Sequence, residues 1–323
     1  MTNAFKVRVS PHVFDRITTR KIMLSVILAL IPAAVAGVYF FGLRALYVIL
    51  TSCTSALVFE YLCNRLMGRK VSVYDGSALL TGLLLALILP PHVPLWIPVV
   101  GAFVAIAIAK QAFGGLGANI FNPALVGRAF LVASWPVLLT SWPQILAPGS
   151  PAWLGSVDAV TSATPLGVRK TQGLAAAVNF LGLKSDAYWH LFTGSVGGSL
   201  GETSALLLLA GGLCLIAAKI IDWRIPAVFI GSVFVLSAAL GEDPLFHILS
   251  GGLFLGAFFM ATDYVTSPTT KKGRLIFALG CGVITVAIRF FSGLPEGVSY
   301  SILIMNALTP LIDRHIRPRR FGT

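Results

Sequence analysis

The chain has 323 residues, of which 56% are hydrophobic and only 11% charged. Soluble domains carry about 25% charged residues, and a mean hydropathy of +0.87 leaves more apolar surface than a soluble core of this size can hide, so lipid is the expected solvent. The net charge of +12 does not indicate nucleic-acid binding, because the basic residues cluster in short segments between apolar runs and leave no compact soluble module.

Met1 to Lys21 lacks the order of a signal peptide. The first apolar run is too long for an h-region, so it reads as a retained span. Apolar runs bounded by turn and charge signals then predict about ten segments, at roughly 22–42, 45–63, 76–90, 96–110, 122–140, 203–221, 225–240, 246–263, 275–291 and 299–312. Several are shorter than the roughly 20 residues of a full span and carry Gly or Pro. Broken helices buried in a bundle fit that pattern. The expected fold is all-α, a polytopic membrane protein forming one domain over 1–323.

Loop parity orients the chain. With Met1 to Lys21 inside, 18 Lys and Arg fall on the cytoplasmic side, from Lys6 to Arg320 and including Lys110. Only Arg44, Arg169, Lys170 and Lys184 fall on the other, with Arg128 and Arg289 set aside inside segments. Both termini are therefore expected in the cytoplasm and the long loop of about 141–200 outside.

The halves 22–140 and 203–312 echo each other. Gly76-Ser77-Ala78-Leu79-Leu80 matches Thr203-Ser204-Ala205-Leu206-Leu207, Ile97-Pro98 matches Ile225-Pro226, and Gly114-Gly115 matches Gly251-Gly252. By parity the two copies run in opposite directions. Inverted repeats with interrupted helices place binding sites near the midplane. Chance similarity among Gly/Ala/Leu-rich spans is the plain alternative.

No hydrolase triad, P-loop, zinc motif or dinucleotide fingerprint stands in a credible context. Cys53, Cys63, Cys214 and Cys281 form no CxxC pair and read as small packing residues. His12, His92, His190, His247 and His315 are scattered and read as interface or loop residues. Ionisable groups in spans are functional candidates by default. Glu60 and Asp263 lie near inner segment ends, where reaching the interface accounts for them. Arg289 lies near an outer end, where it either snorkels or meets an outward-facing anion.

The outer loop contains Asp158-Ala159-Val160-Thr161-Ser162-Ala163-Thr164-Pro165-Leu166. Pro165 biases Thr164 to an extended conformation, which can present its hydroxyl outward. In its context this motif resembles the RnfD family, relatives of NqrB. So do Ser10-Pro11-His12, Arg20-Lys21-Ile22-Met23, Leu87-Ile88-Leu89-Pro90-Pro91 and Asn119-Ile120-Phe121-Asn122-Pro123-Ala124. Phe259-Met260-Ala261-Thr262-Asp263, Thr266-Ser267-Pro268, Pro295-Glu296-Gly297 and Met305-Asn306 match as well. The resemblance covers nearly the whole chain. It departs at Phe14-Asp15-Arg16-Ile17 and at Tyr264, where a proline is common.

The resemblance implies a subunit of the Rnf complex in the bacterial inner membrane, coupling NADH–ferredoxin electron transfer to ion translocation. It implies FMN held by a phosphoester bond at Thr164. Ser162 and Thr161 are less favoured attachment points that could bond the phosphate, and Asp158 is expected to serve recognition or the turn, because a carboxylate repels phosphate. NqrB also binds a second, non-covalent flavin within its spans. Thr81, Asn119 and Asn122 match polar positions there, for riboflavin or another flavin, or else pair with backbone freed by broken helices. Expected partners are RnfA, RnfB, RnfC, RnfE and RnfG, with lipid around the spans. A transporter or channel, or a scaffold with a vestigial loop, would share the same inverted repeats, since fold does not fix function.

Overall fold

The computed structural model describes residues 17–69, 72–143, 161–162, 164–180, 184–194, 196–202, 204–294 and 296–317. The chain is an all-α membrane protein. A two-residue antiparallel pairing between Trp142–Pro143 (β1) and Thr161–Ser162 (β2) is the exception among the described residues.

α1 (Thr19–Phe41) starts where the Thr18 hydroxyl accepts from Lys21 N–H. Its buried residues Val26, Ile27, Leu30, Ala33, Gly37 and Phe41 recur at helical spacing on one face. Leu28, Val35 and Tyr39 on the other are more than half exposed, as a lipid-facing surface requires. α2 (Leu43–Leu66) presents Ser52 and Ala56 to α3 (Ser77–Leu87). A Cβ on Gly82 of α3 would lie 2.8 Å from the Cys53 Cα, so glycine is what allows these two backbones to touch. Ser52 Oγ donates to the Gly82 carbonyl at 2.7 Å across the contact.

α3 has only 11 residues, stops before Pro90-Pro91 and is buried along most of its length. Its freed carbonyls find partners across the fold. Gly201 N–H donates to Leu87 O at 2.7 Å and Leu200 N–H to Leu89 O at 3.2 Å. This satisfies backbone that lipid cannot. α4 (Trp96–Phe103) runs on as a π-helix, Val104–Gln111.

The expected segment 122–140 is two helices, α5 (Pro123–Ser134) and α6 (Pro136–Thr140). Pro136 disfavours a helical Trp135, which adopts φ −135° and ψ 64°. Three short helices follow: α7 (Pro165–Gln172), α8 (Leu174–Phe180) and α9 (Lys184–Thr193).

The second half holds α10 (Ala205–Ala217), α11 (Arg224–Ala239), α12 (Pro244–Leu249) and α13 (Leu253–Leu255), which passes into a π-helix over Gly256–Met260. α14 (Lys271–Phe291) and α15 (Val298–His315) follow. The expected segment 246–263 is therefore broken at Ser250-Gly251-Gly252. Among the described residues, three helices, α1, α2 and α14, are long and apolar enough to cross a membrane by themselves. Five shorter apolar helices accompany them among those residues.

Ile97-Pro98 and Ile225-Pro226 both sit in the first turn of a helix. The two Gly-Gly steps are not equivalent: Gly114-Gly115 follows a π-helix, whereas Gly251-Gly252 precedes one.

Candidate cofactor-binding sites

Thr164 stands at the N-terminus of α7. Its backbone is extended, φ −70° and ψ 156°, as expected before Pro165, and its Oγ1 accepts from Gly167 N–H at 3.1 Å. The hydroxyl is not held outward. Thr164 is 7% exposed and lines two cavities. One encloses about 1000 Å³ including its open mouth, with Arg128, Trp142, Thr171, Glu296 and Tyr300 on its walls. The other, about 400 Å³, is shared with Leu166, Glu202, Ser250 and Glu296. Capping turns the side chain inward because α7 needs an acceptor for its free N–H groups. Thr161 and Ser162 belong to the strand beside Trp142. Asp158 lies outside the described residues.

Charged side chains gather around these cavities. Arg128 of α5 pairs with Glu296 at 2.6 Å and Glu202 at 3.4 Å. Arg169 of α7 pairs with Glu242 at 2.5 Å and lies over the Phe290 ring, 4.3 Å from its centroid. Burial pushes the Glu242 carboxyl up, but hydrogen bonds from Arg169 and His247 outweigh it and hold the group below its ordinary range. His247, expected at an interface, is fully buried and shares a hydrogen with Glu242 at 2.8 Å.

Arg289 neither snorkels nor reaches a carboxylate. It is 1% exposed and donates to the carbonyls of His247 at 2.5 Å and Ser250 at 3.1 Å, capping the broken end of α12. Among the described residues, no group of His, Cys, Asp and Glu is placed to hold a metal.

Thr81, Asn119 and Asn122 do come together. They line a second cavity of about 710 Å³, including its mouth, with Ser77, Lys110 and Asp263. Two of the three are spent on backbone. Thr81 donates to Ser77 O at 2.9 Å, and Asn122 caps α5 while donating to Met260 O at 3.3 Å. Asn306, with its amide oriented to satisfy its neighbours, accepts from Asn122 N–H and donates to Thr266 O. Two motifs from opposite halves thus close on each other. Asn119 donates to Phe121 O at 3.1 Å, but its buried Oδ1 has no partner. It is the member best placed to meet a ligand.

Beside this cavity is a pair that segment reading missed. Glu60 does not reach the interface. It is fully buried and lies 2.8 Å from Lys110 Nζ, which also donates to Ser77 Oγ at 2.6 Å. Lys110 is therefore not an exposed loop cation. The signal was present: two ionisable residues of opposite sign, each inside an apolar run.

The two sites share α5. Asn122 opens it at one cavity, and Arg128, six residues on, stands at the other, about 9 Å along the axis at 1.5 Å per residue. A family model described as NQR2, RnfD, RnfE matches residues 6–322. The chain belongs to the NQR2, RnfD, RnfE family. Within it, the chain is 51% identical to the D subunit of the proton-translocating ferredoxin:NAD(+) oxidoreductase complex of Clostridium ljungdahlii, over 99% of this chain and 97% of that one. It is 47% identical to the Na(+)-translocating counterpart of Acetobacterium woodii, over 97% of this chain and 94% of that one. The D subunit of the ion-translocating oxidoreductase complex of Stutzerimonas stutzeri is 46% identical, over 95% and 93%. These match the RnfD resemblance of the motifs, and they place members of this family that differ in coupling ion at similar distances from the chain.

Proposed function

We propose that this chain is a membrane flavoprotein subunit of an ion-translocating NADH–ferredoxin oxidoreductase complex, carrying FMN as a phosphoester on Thr164. The observation that supports this most is the setting of the Thr164 hydroxyl. It stands on the wall of a large, mostly apolar cavity with Trp142 and Tyr300, and Arg128 reaches the same wall. It also opens an eight-residue helix whose N-terminal N–H groups favour a phosphate. An apolar cavity with aromatic sides suits a flavin ring, and a helix N-terminus suits its phosphate.

FMN bound there would supply one- and two-electron chemistry. The chain's own residues would do the rest. Thr164 would prevent loss of the group, the N-terminal N–H groups of α7 would offset the phosphate charge, and Trp142 would limit water. The excess of basic residues on the other side supports an outward, periplasmic Thr164 loop in a bacterial inner membrane. The second cavity supports a non-covalent flavin, riboflavin or another, at Thr81, Asn119 and Asn122. The names of the three relatives support assembly into a multi-subunit complex, and RnfA, RnfB, RnfC, RnfE and RnfG are the partners we infer.

The chain, co-expressed with a flavin transferase and run on a denaturing gel, should fluoresce under ultraviolet light. Thr164→Val should abolish the signal. Fluorescence that survives the substitution would move the attachment elsewhere, and none in the native host would overturn the reading in favour of a transporter or scaffold.

A further inference from the structure

Two glutamates share one arginine beside the Thr164 cavities. Arg128 Nη2 lies 2.6 Å from Glu296 Oε2, and its Nη1 lies 3.4 Å from Glu202 Oε1. The three residues converge from separate places: α5, the segment leading into α10, and the residues before α15. The Glu202 carboxylate is packed against bare backbone, since a Cβ on Gly252 would collide with Oε1.

Among the described residues, no second cation forms an ion pair with either glutamate. Ser299 Oγ accepts from Arg128 at 3.3 Å and adds no charge. Arg289 of α14 approaches from beyond Gly251 and its charge acts on both glutamates, but its bonds to two carbonyls hold it out of ion-pair contact with either. Arg169 of α7 is paired with Glu242. Ser199 is fully buried, and its hydroxyl closes no regular hydrogen bond although it lies close enough to favour the Glu202 carboxylate. A hydroxyl so placed can donate to a carboxylate or accept from a carboxylic acid.

Two buried carboxylates bridged by one guanidinium disfavour each other's charge. Glu296 has the shorter contact and the wetter side chain, 18% exposed against 5% for Glu202. We propose that Glu202 and Glu296 form a one-proton site, in which a single proton resides on Glu202 and exchanges with water of the cavity that Thr164 lines. The step is a plain protonation: a carboxylate takes a proton from cavity water and returns it, with no electron transferred. Burial and the Glu296 charge, against the pull of Arg128, push the Glu202 carboxyl up to about 7.

The consequence rests on the function proposed above. Negative charge brought into the cavity at Thr164 would draw the proton onto Glu202, so the site would offset charge at the outer end of the protein.

The test uses the purified full-length chain in detergent with Thr164→Val, so that no flavin is attached there. Infrared difference spectra taken while pH is lowered through about 7 should show a protonated-carboxyl band, and Glu202→Gln should remove it. Glu296→Gln should keep the band but shift its midpoint to acid by about a unit, a tenfold loss of proton affinity. A band that persists unchanged in Glu202→Gln overturns the proposal. If that variant does not fold, an unshifted midpoint in Glu296→Gln overturns it instead. The band does not depend on flavin content, so a failed fluorescence test would remove the attachment at Thr164 and leave this site standing.

Discussion

Lys110 Nζ lies 2.8 Å from Glu60 Oε2, with the two side chains 2% and 0% exposed. Ser72 Oγ donates to the other carboxylate oxygen at 2.7 Å and Asn64 donates to Ser72, so the pair ends in a closed chain of hydrogen bonds. Removing one partner strands a buried charge, which costs about 3–5 kcal/mol. Lys110→Met alone is therefore expected to lower the thermal midpoint of the detergent-solubilised protein sharply. Lys110→Met with Glu60→Gln should recover much of the loss, and a double variant no better than the single would show that the pair is not coupled.

Gly82 is where α2 and α3 touch. A Cβ there meets Cys53 Cα, Ser52 O and the Ala56 Cβ, and the first two are backbone that cannot rotate away. Gly82→Val should separate the helices, break the Ser52 bond and abolish stable expression. Gly231, with open space around its Cβ position, is the control: Gly231→Ala should be tolerated.

Thr164 also serves the fold, through its cap on α7. Thr164→Val should lower stability by about 1 kcal/mol, the usual loss for an N-cap. Thr164→Ser should keep the cap. Thermal unfolding of both variants, alongside gel fluorescence, separates loss of cap from loss of attachment.

Arg289 holds two carbonyls at the break between α12 and α13. Arg289→Met would leave both acceptors buried without partners, at about 1–3 kcal/mol each. Hydrogen exchange should then rise at Ser250 to Leu253 before it rises in α14. Equal protection there in the variant would show that the carbonyls find other donors.

Glu202 makes stability fall as pH rises. Its folded value, about 7, lies above the ordinary 4.5, so between these the folded protein binds more protons than the unfolded chain. Stability from this group is complete below about 4.5 and is lost as pH climbs through about 7. The wild type should lose thermal midpoint over that window relative to Glu202→Gln. Glu242 has the opposite sign: its carboxyl is held low, so Glu242→Gln should cost stability at neutral pH and the difference should vanish in acid.

Much of the architecture was readable from composition and period. Ten apolar runs correspond to helices or broken helices, because lipid demands apolar length and turn residues mark where it ends. The breaks were less legible. Pro136 could have revealed the one at Trp135, since proline restricts the residue before it. The Ser250-Gly251-Gly252 break depends on Arg289 arriving from α14, and no local pattern shows that.

Thr164 itself was legible, as part of a motif that resembles the family's. Its inward hydroxyl was not, because capping geometry and the cavity walls come from segments far apart in sequence. The same holds for Glu60 with Lys110, 50 residues apart, and for Arg128 with Glu202 and Glu296, at separations of 74 and 168 residues. Hydrophobic period reports which residues face lipid. Which buried charge meets which is settled only when the helices pack, because an ion pair in low dielectric has an energy only at contact distance. Thr164 is named by its sequence, and the company it keeps is decided by the fold.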